Sequence, residues 1–139
     1  MNKYLYWFLS LTWGLPMTLI GFLVSAVLLL MGYKPKRFGY TFYFEVGKNW
    51  GGLELGAIFL ISKGEPLETK QHEHGHGIQN LWWGPLMPFV VSIPSACRYW
   101  YREYLVRSGK KKYYELPDYD SIWFEGQATR LGKKYFKEG

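Results

Sequence analysis

Residues 71–80 read Gln71-His72-Glu73-His74-Gly75-His76-Gly77-Ile78-Gln79-Asn80 and contain every histidine of the 139-residue chain. Within them, His72, Glu73 and His76 satisfy the pattern H-E-x-x-H. The spacing has a physical reason. Side chains four apart on an α-helix leave the same face one turn apart, so two imidazoles can bind one metal ion together. Glu73 lies roughly 100° round the helix from His72, too far to be a third ligand but near the ion's open position, where it can take a proton from water. Zinc suits such imidazoles, and it lowers the pKa of a water it activates to about 7. The stretch therefore predicts a helix over about 69–80 with His72 and His76 as metal ligands and Glu73 as general base. His74 points to the opposite side of that helix, a neighbour of the site and not a part of it. Gly75 leaves room for close packing. Gln79 returns to the ligand face, either behind a ligand or in a simple polar contact.

Working outward on the N-terminal side, Pro66 suits a loop or a first helical turn, and Thr69 an N-cap. Residues 40–46 (YTFYFEV) have the aromatic and β-branched content of a strand and break at Gly47-Lys48-Asn49. Residues 53–61 (LELGAIFLI) form a second apolar run between Gly51-Gly52 and Ser62-Lys63-Gly64. A β-hairpin of the two runs is the simplest account. On the C-terminal side, residues 81–97 (LWWGPLMPFVVSIPSAC) are apolar but broken by Pro85, Pro88 and Pro94. They read as a re-entrant or interfacial segment, a second span, or buried core. Residues 98–105 continue helically, a basic loop follows, and residues 121–134 read as a closing helix with Asp120 or Ser121 as its cap.

Residues 4–31 carry no charge. The inner part, residues 16–31 (PMTLIGFLVSAVLLLM), together with its aromatic lead-in, is long enough to cross a hydrocarbon layer as a helix. Gly14 and Pro16 mark a kink or the true helix start. The run is too long for the apolar core of a signal peptide, and no small-residue cleavage site follows it. A retained transmembrane anchor over residues 1–33, with one domain over residues 34–139, is expected. Lys3 stands alone before the run, whereas Lys34, Lys36 and Arg37 follow it, which places the catalytic part in the cytoplasm. The net charge of +6 accompanies no nucleic-acid-binding motif, and its clusters lie beside apolar segments. Anionic lipid of a membrane bilayer is the partner this implies, and nucleic acid is not. Trp7, Trp13, Trp82 and Trp83 lie in or beside the apolar stretches, as interfacial rings do. Cys97 is the sole cysteine, so neither a disulfide framework nor a thiolate cluster exists, and it reads as a core residue.

The run HEHGHGIQ (72–79), followed by WWGPLMP (82–88) and later WFEGQATRLG (123–132), resembles a group of small bacterial membrane-associated zincin-like proteins. Their pattern is HExGHxxQ, then GP, then W-x-E-x-x-A with a following L-G. More broadly the chain is similar to gluzincin metallopeptidases, in which the two histidines of HExxH and a downstream glutamate hold zinc. The resemblance covers about residues 51–136 and is specific at the two helices. It implies His72 and His76 as ligands, Glu73 as general base, Glu125 as third ligand, and an edge strand beside the cleft near residues 53–59. Two departures stand out. Thr129 occupies the place where gluzincins often carry an aspartate supporting a ligating histidine. The tyrosine or histidine that often steadies the oxyanion has no assigned counterpart, with Tyr113, Tyr114 and Tyr119 as candidates. Lys70 and Gln71 before the motif set it apart from intramembrane proteases, whose histidines lie among spanning apolar residues.

The residues themselves give Glu125 a further argument. Ile122, Glu125 and Ala128 follow at three-residue spacing and share a helix face, where an unpaired carboxylate would be costly and a metal ion would compensate it. Asp118, Asp120 and Glu115 are the rivals, although Asp120 also reads as a cap and Asp118 as a turn residue. A shared ion requires His72, His76 and Glu125 on one side of any bilayer, so residues 81–97 are expected not to span. The expected fold class is α+β: an N-terminal transmembrane helix, then a minimal zincin-like domain with a β-hairpin, an HExxH helix and a C-terminal Glu-bearing helix. The expected function is a membrane-anchored zinc-dependent hydrolase of peptide or protein substrates, with zinc-activated water attacking the carbonyl and Glu73 as base. The alternatives are a zinc-binding membrane protein without turnover and a metal-free basic interaction module.

Overall fold

A computed structural model describes residues 1–137. Helices α1 (Lys3–Leu11) and α2 (Leu15–Leu30) precede a four-stranded sheet of β1 (Lys36–Phe38), β2 (Thr41–Glu45), β3 (Gly52–Leu55) and β4 (Ile58–Ile61). Then come α3 (Leu67–Trp83), a 3₁₀ turn (Gly84–Leu86), a π-helical turn (Pro88–Ser92), α4 (Ile93–Arg107) and α5 (Trp123–Tyr135). The class is mixed α+β, as expected.

The uncharged N-terminal run is not one helix. Its halves, α1 and α2, meet at 96°, and among the described residues no single helix is long and apolar enough to cross a membrane, although the bent pair together has the length and composition. The break sits at Gly14, which caps α2, with Pro16 in the first helical turn where its missing N–H is harmless. The bend is held from outside: the Asn80 side-chain amide donates to Gly14 O at 3.1 Å, and the Trp13 indole donates to Trp82 O at 3.2 Å.

The hairpin also lies elsewhere. Residues 53–61 fold back on themselves at Gly56, so β3 and β4 are the antiparallel pair, and β4 enters between β3 and β2, parallel to β2. Gly56 has φ +73, and a Cβ there would lie 2.6 Å from the Met17 carbonyl carbon, so both the turn and the approach of α2 require glycine. The sheet order β1-β2-β4-β3 leaves β3, not the whole of residues 53–59, as the free edge beside α3.

Helices cover both faces of this sheet. On one, Tyr43 and Phe59 stack at 5.0 Å, and Phe59 meets His74 of α3. On the other, Trp7 of α1 stacks on Phe42, and Gly21 of α2 sits against Ile58. Helix α2 buries Met17, Thr18, Gly21, Ser25 and Leu28 along one stripe and exposes Leu19, Leu23, Val27 and Leu30 on the other. Residues 81–97 bury Leu81, Met87 and Val91 and expose Leu86, Phe89 and Ile93. Cys97 is exposed, which corrects its reading as a core residue.

The closest packing in the molecule is α3 against α5. A Cβ on Gly75 would lie 2.7 Å from the Ala128 carbonyl carbon, and one on Gly132 would lie 3.0 Å from Gln71 Cα. These two glycines set the separation at which Glu125 meets the histidines.

Candidate metal centre

Helix α3 starts at Leu67 with Pro66 as its N-cap, so Thr69 lies inside the first turn, its hydroxyl donating to Glu65 at 3.0 Å. Its buried face carries the motif. His72 Nε2 lies 3.2 Å and His76 Nε2 2.8 Å from the same oxygen, Glu125 Oε1. These three residues offer ligand atoms that all lie within 4.8 Å of one another, and the group could hold a metal ion. Glu125, on α5, has no solvent exposure.

The hydrogen bonds behind the ligands fix their orientation. The Gln79 amide nitrogen donates to Phe124 O at 2.9 Å and to Gln127 Oε1 at 3.0 Å. Its oxygen therefore faces His76 Nδ1, at 2.6 Å, and because an amide oxygen only accepts, Nδ1 carries the proton. His76 Nε2 is then left facing a carboxylate oxygen. Two lone pairs 2.8 Å apart need a cation between them, either a second proton on the ring or a metal ion. His72 is held likewise, with Nδ1 2.8 Å from Thr129 Oγ1. Thr129 thus occupies the supporting position itself. The Ser95 hydroxyl donates to the other oxygen of Glu125 at 2.6 Å.

Titration follows the same geometry. Burial pulls the His76 imidazole down, but the hydrogen bond to Glu125 and the charges of Glu73, Glu125 and Glu54 outweigh it and lift the ring to about 9. Burial pushes Glu125 up, yet the bonds from His72, His76 and Ser95 and the charge of His76 hold it well below the usual carboxylate range. A buried, ionised carboxylate shared by two imidazole nitrogens is a donor set for a divalent cation. Ligand atoms around a tetrahedral zinc ion sit about 3.3 Å apart, given bonds of about 2.0–2.1 Å; the 3.2 Å from His72 to Glu125 matches this, and the 2.8 Å from His76 would have to open by about half an ångström.

Glu73 is buried, and among the described residues its carboxylate has no hydrogen-bond partner. It leans on Gly52 of β3, where a Cβ would meet its Cδ at 2.9 Å. Burial raises its pKa, against the lowering charges of His72 and His76. Such a carboxylate is more basic than one in water.

His74 faces away, as expected, into a sandwich with Phe136 at 3.7 Å, its Nε2 accepting the Tyr40 backbone N–H at 3.0 Å. Burial depresses it to about 3, so it stays neutral. The rivals for third ligand lie off the histidine pair. Asp120 approaches His72 only from behind, 4.0 Å from Nδ1, Asp118 is exposed, and Glu115 accepts the Lys112 backbone N–H. Of the three tyrosines, Tyr119 lines the cleft, its ring 5.9 Å from that of His72, while Tyr113 and Tyr114 are exposed.

Two groups here were not read from the sequence. Glu54 of β3 is buried, with the Gly56 N–H donating to it, and burial raises its carboxyl to about 8 despite the charge of His76. An acid inside the apolar run LELGAIFLI was the available signal. Ser95 carried none, because only the fold brings it to Glu125.

No protein-family model, curated protein or solved structure matches this chain.

Proposed function

We propose that this chain is a membrane-associated, zinc-dependent peptide hydrolase. One observation carries the reading: His72, His76 and Glu125 converge at metal-binding distances while the unpartnered carboxylate of Glu73 lies beside them in a cleft. When bound, zinc would polarise the scissile carbonyl and acidify water. His72, His76 and Glu125 would hold the ion, and Gln79 and Thr129 fix the orientation of the imidazole rings. Glu73 takes the proton from the attacking water and returns it to the leaving amine, a role its raised pKa favours. Tyr119 is the phenol placed to steady charge on the carbonyl oxygen. Burial, then the charges of Glu125 and Glu73, raise its pKa, so it keeps its proton.

Membrane association is supported by the outer stripe of α2 and by the exposed Leu86, Phe89, Ile93 and Trp100. Apolar patches of this extent mark membrane or partner surfaces. Lys34, Lys36 and Arg37, directly after α2, suit a cytoplasmic, anionic leaflet.

The ligand set is tested by zinc competition titration of His72→Ala, His76→Ala, Glu125→Ala, Asp118→Ala and Asp120→Ala. Loss of stoichiometric zinc in the first three alone is expected. Retention in Glu125→Ala, with loss in either aspartate variant, would move the third ligand to the loop.

A further inference from the structure

Two cavities meet over the ligand cluster, and they differ in chemistry. The first, about 150 Å³, is walled by Trp50, Leu53, Val91, Ala96 and Trp100, with Glu73 and His76 also on its lining. The second, about 470 Å³, reaches His72 and Glu73 and carries Glu65, Glu68 and Asp120 against one cation, Lys133. Gly52, Glu73, Tyr99 and Tyr119 line both, so the two are neighbours on either side of the Glu73 side chain. Gly52 belongs to β3, one of the two edge strands of the sheet. An extended chain lying along that edge passes from one cavity to the other with its carbonyl beside Glu73.

The charge at this cleft runs against that of the molecule. The chain has 17 basic and 11 acidic residues. Yet four of those acids, Glu65, Glu68, Glu73 and Asp120, line the second cavity, while Glu54, on the first, is raised to about 8 by burial and stays protonated at neutral pH. A concave site lined by one sign of charge concentrates ligands of the other sign. Glu73, nine-tenths buried and without a hydrogen-bond partner among the described residues, opens on the same space.

We propose that the site selects cationic peptides, with Lys or Arg in the acidic cavity and a large apolar side chain in the other, on opposite sides of the scissile bond. The proposal rests on the hydrolase reading for its cleavage arm and not for its binding arm. Glu65 and Glu68 grip the cation; both are half-exposed or exposed, so each pair is worth little alone and the two together about tenfold. Trp50 and Val91 exclude water around the apolar side chain, with Leu53 and Trp100 at the open rim.

The test has two arms, both on the full-length, zinc-loaded chain. Cleavage sites in an unbiased peptide library are mapped by mass spectrometry for wild type, Glu65→Lys/Glu68→Lys and Ala96→Trp. Binding of two labelled peptides, identical but for a Lys-Arg or an Asp-Glu pair, is measured on Glu73→Gln by fluorescence anisotropy. We expect Lys or Arg on one side of the cuts and Leu, Met, Phe or Trp on the other. The double variant should lose the basic preference about tenfold, and Ala96→Trp the apolar one. Glu73→Gln should bind the basic peptide at least about tenfold tighter. Cleavage without a basic preference, or with one unchanged in the double variant, overturns the proposal and leaves the hydrolase reading standing. Selective binding without any cleavage by wild type supports the proposal and sinks the hydrolase. Equal binding of the two peptides overturns the recognition itself.

Discussion

Gly75→Ala is a single-methyl change that alters no ligand side chain, and the structure gives its effect a size. The new Cβ would lie 2.7 Å from the Ala128 carbonyl carbon and closer still to its oxygen. Carbon atoms rest about 3.5 Å or more apart, so α3 and α5 must separate by roughly 1 Å. The obstacle is backbone, which cannot turn aside as a flexible side chain would. Alanine gains about 1 kcal/mol of helix propensity over glycine, whereas overpacking of this kind costs about 1–3 kcal/mol. The overlap wins, and a modest net destabilisation is expected in a protein that still folds. The larger effect falls on the metal. Ligand positions tolerate about 0.2 Å, and Glu125 travels on the helix that moves. Loss of the carboxylate from the ligand set should weaken zinc binding by about a hundredfold or more, close to 3 kcal/mol. Competition titration with a chromophoric chelator, alongside helical circular dichroism, reads both quantities. Wild-type zinc affinity in a folded Gly75→Ala protein would refute the claim that α3–α5 contact sets the ligand geometry.

The remaining perturbations separate support from chemistry. His74→Ala should leave zinc stoichiometry intact but lower the unfolding free energy by about 3 kcal/mol, through loss of the Phe136 stack and an orphaned Tyr40 N–H; metal loss with unchanged stability would reverse that assignment. Gln79→Ala, which frees the His76 ring and its tautomer, should weaken zinc about 10- to 100-fold in the same titration, and an unchanged constant would leave the ring positioned by other contacts. Glu54 has its carboxyl raised from 4.5 to about 8 by burial, so the fold binds a proton that the unfolded chain releases. Its contribution is fully present below about pH 4.5 and is lost as pH rises through about 8, a few kcal/mol in all. In metal-free protein, Glu54→Gln should therefore flatten the decline of stability over that window, and parallel pH curves for variant and wild type would show that Glu54 is ionised in the fold.

The parts of this molecule legible in sequence are those governed by local spacing. Four-residue spacing on one helix is enough to put His72 and His76 side by side, and Glu125 and Ala128, three apart, do share the inward face of α5. That helix, however, starts at Trp123 with Ile122 as its extended cap, so neither Asp120 nor Ser121 caps it and Ile122 is not part of the stripe. What local spacing does not carry is pairing. The apolar runs 40–46 and 53–61 read most simply as the two strands of one hairpin, whereas the second run forms a hairpin by itself and only its β4 half pairs with the first. The difference is made by Gly56, whose turn lets α2 lie against it, and that contact joins residues far apart in the chain. The N-terminal run reads as one spanning helix for a related reason. Gly14 and Pro16 announced a break, but its 96° depth depends on Asn80 and Trp82 of another helix. Tyr119 could not be told from its neighbours because twelve tyrosines dilute the signal of one. Its position follows from Arg98, whose guanidinium donates to the carbonyls of Asp118 and Tyr119 and so fixes the loop.

The central claim is that His72, His76 and Glu125 bind the metal while Glu73 performs the proton transfer. It is tested most directly by metal analysis and peptide hydrolysis on purified full-length wild type and Glu73→Gln, measured side by side. The account predicts about one zinc per chain in both proteins and a fall in hydrolysis of at least a hundredfold in the variant, the scale of general-base catalysis. Loss of zinc from Glu73→Gln would make Glu73 a ligand, and wild-type turnover in the zinc-loaded variant would remove it from the chemistry.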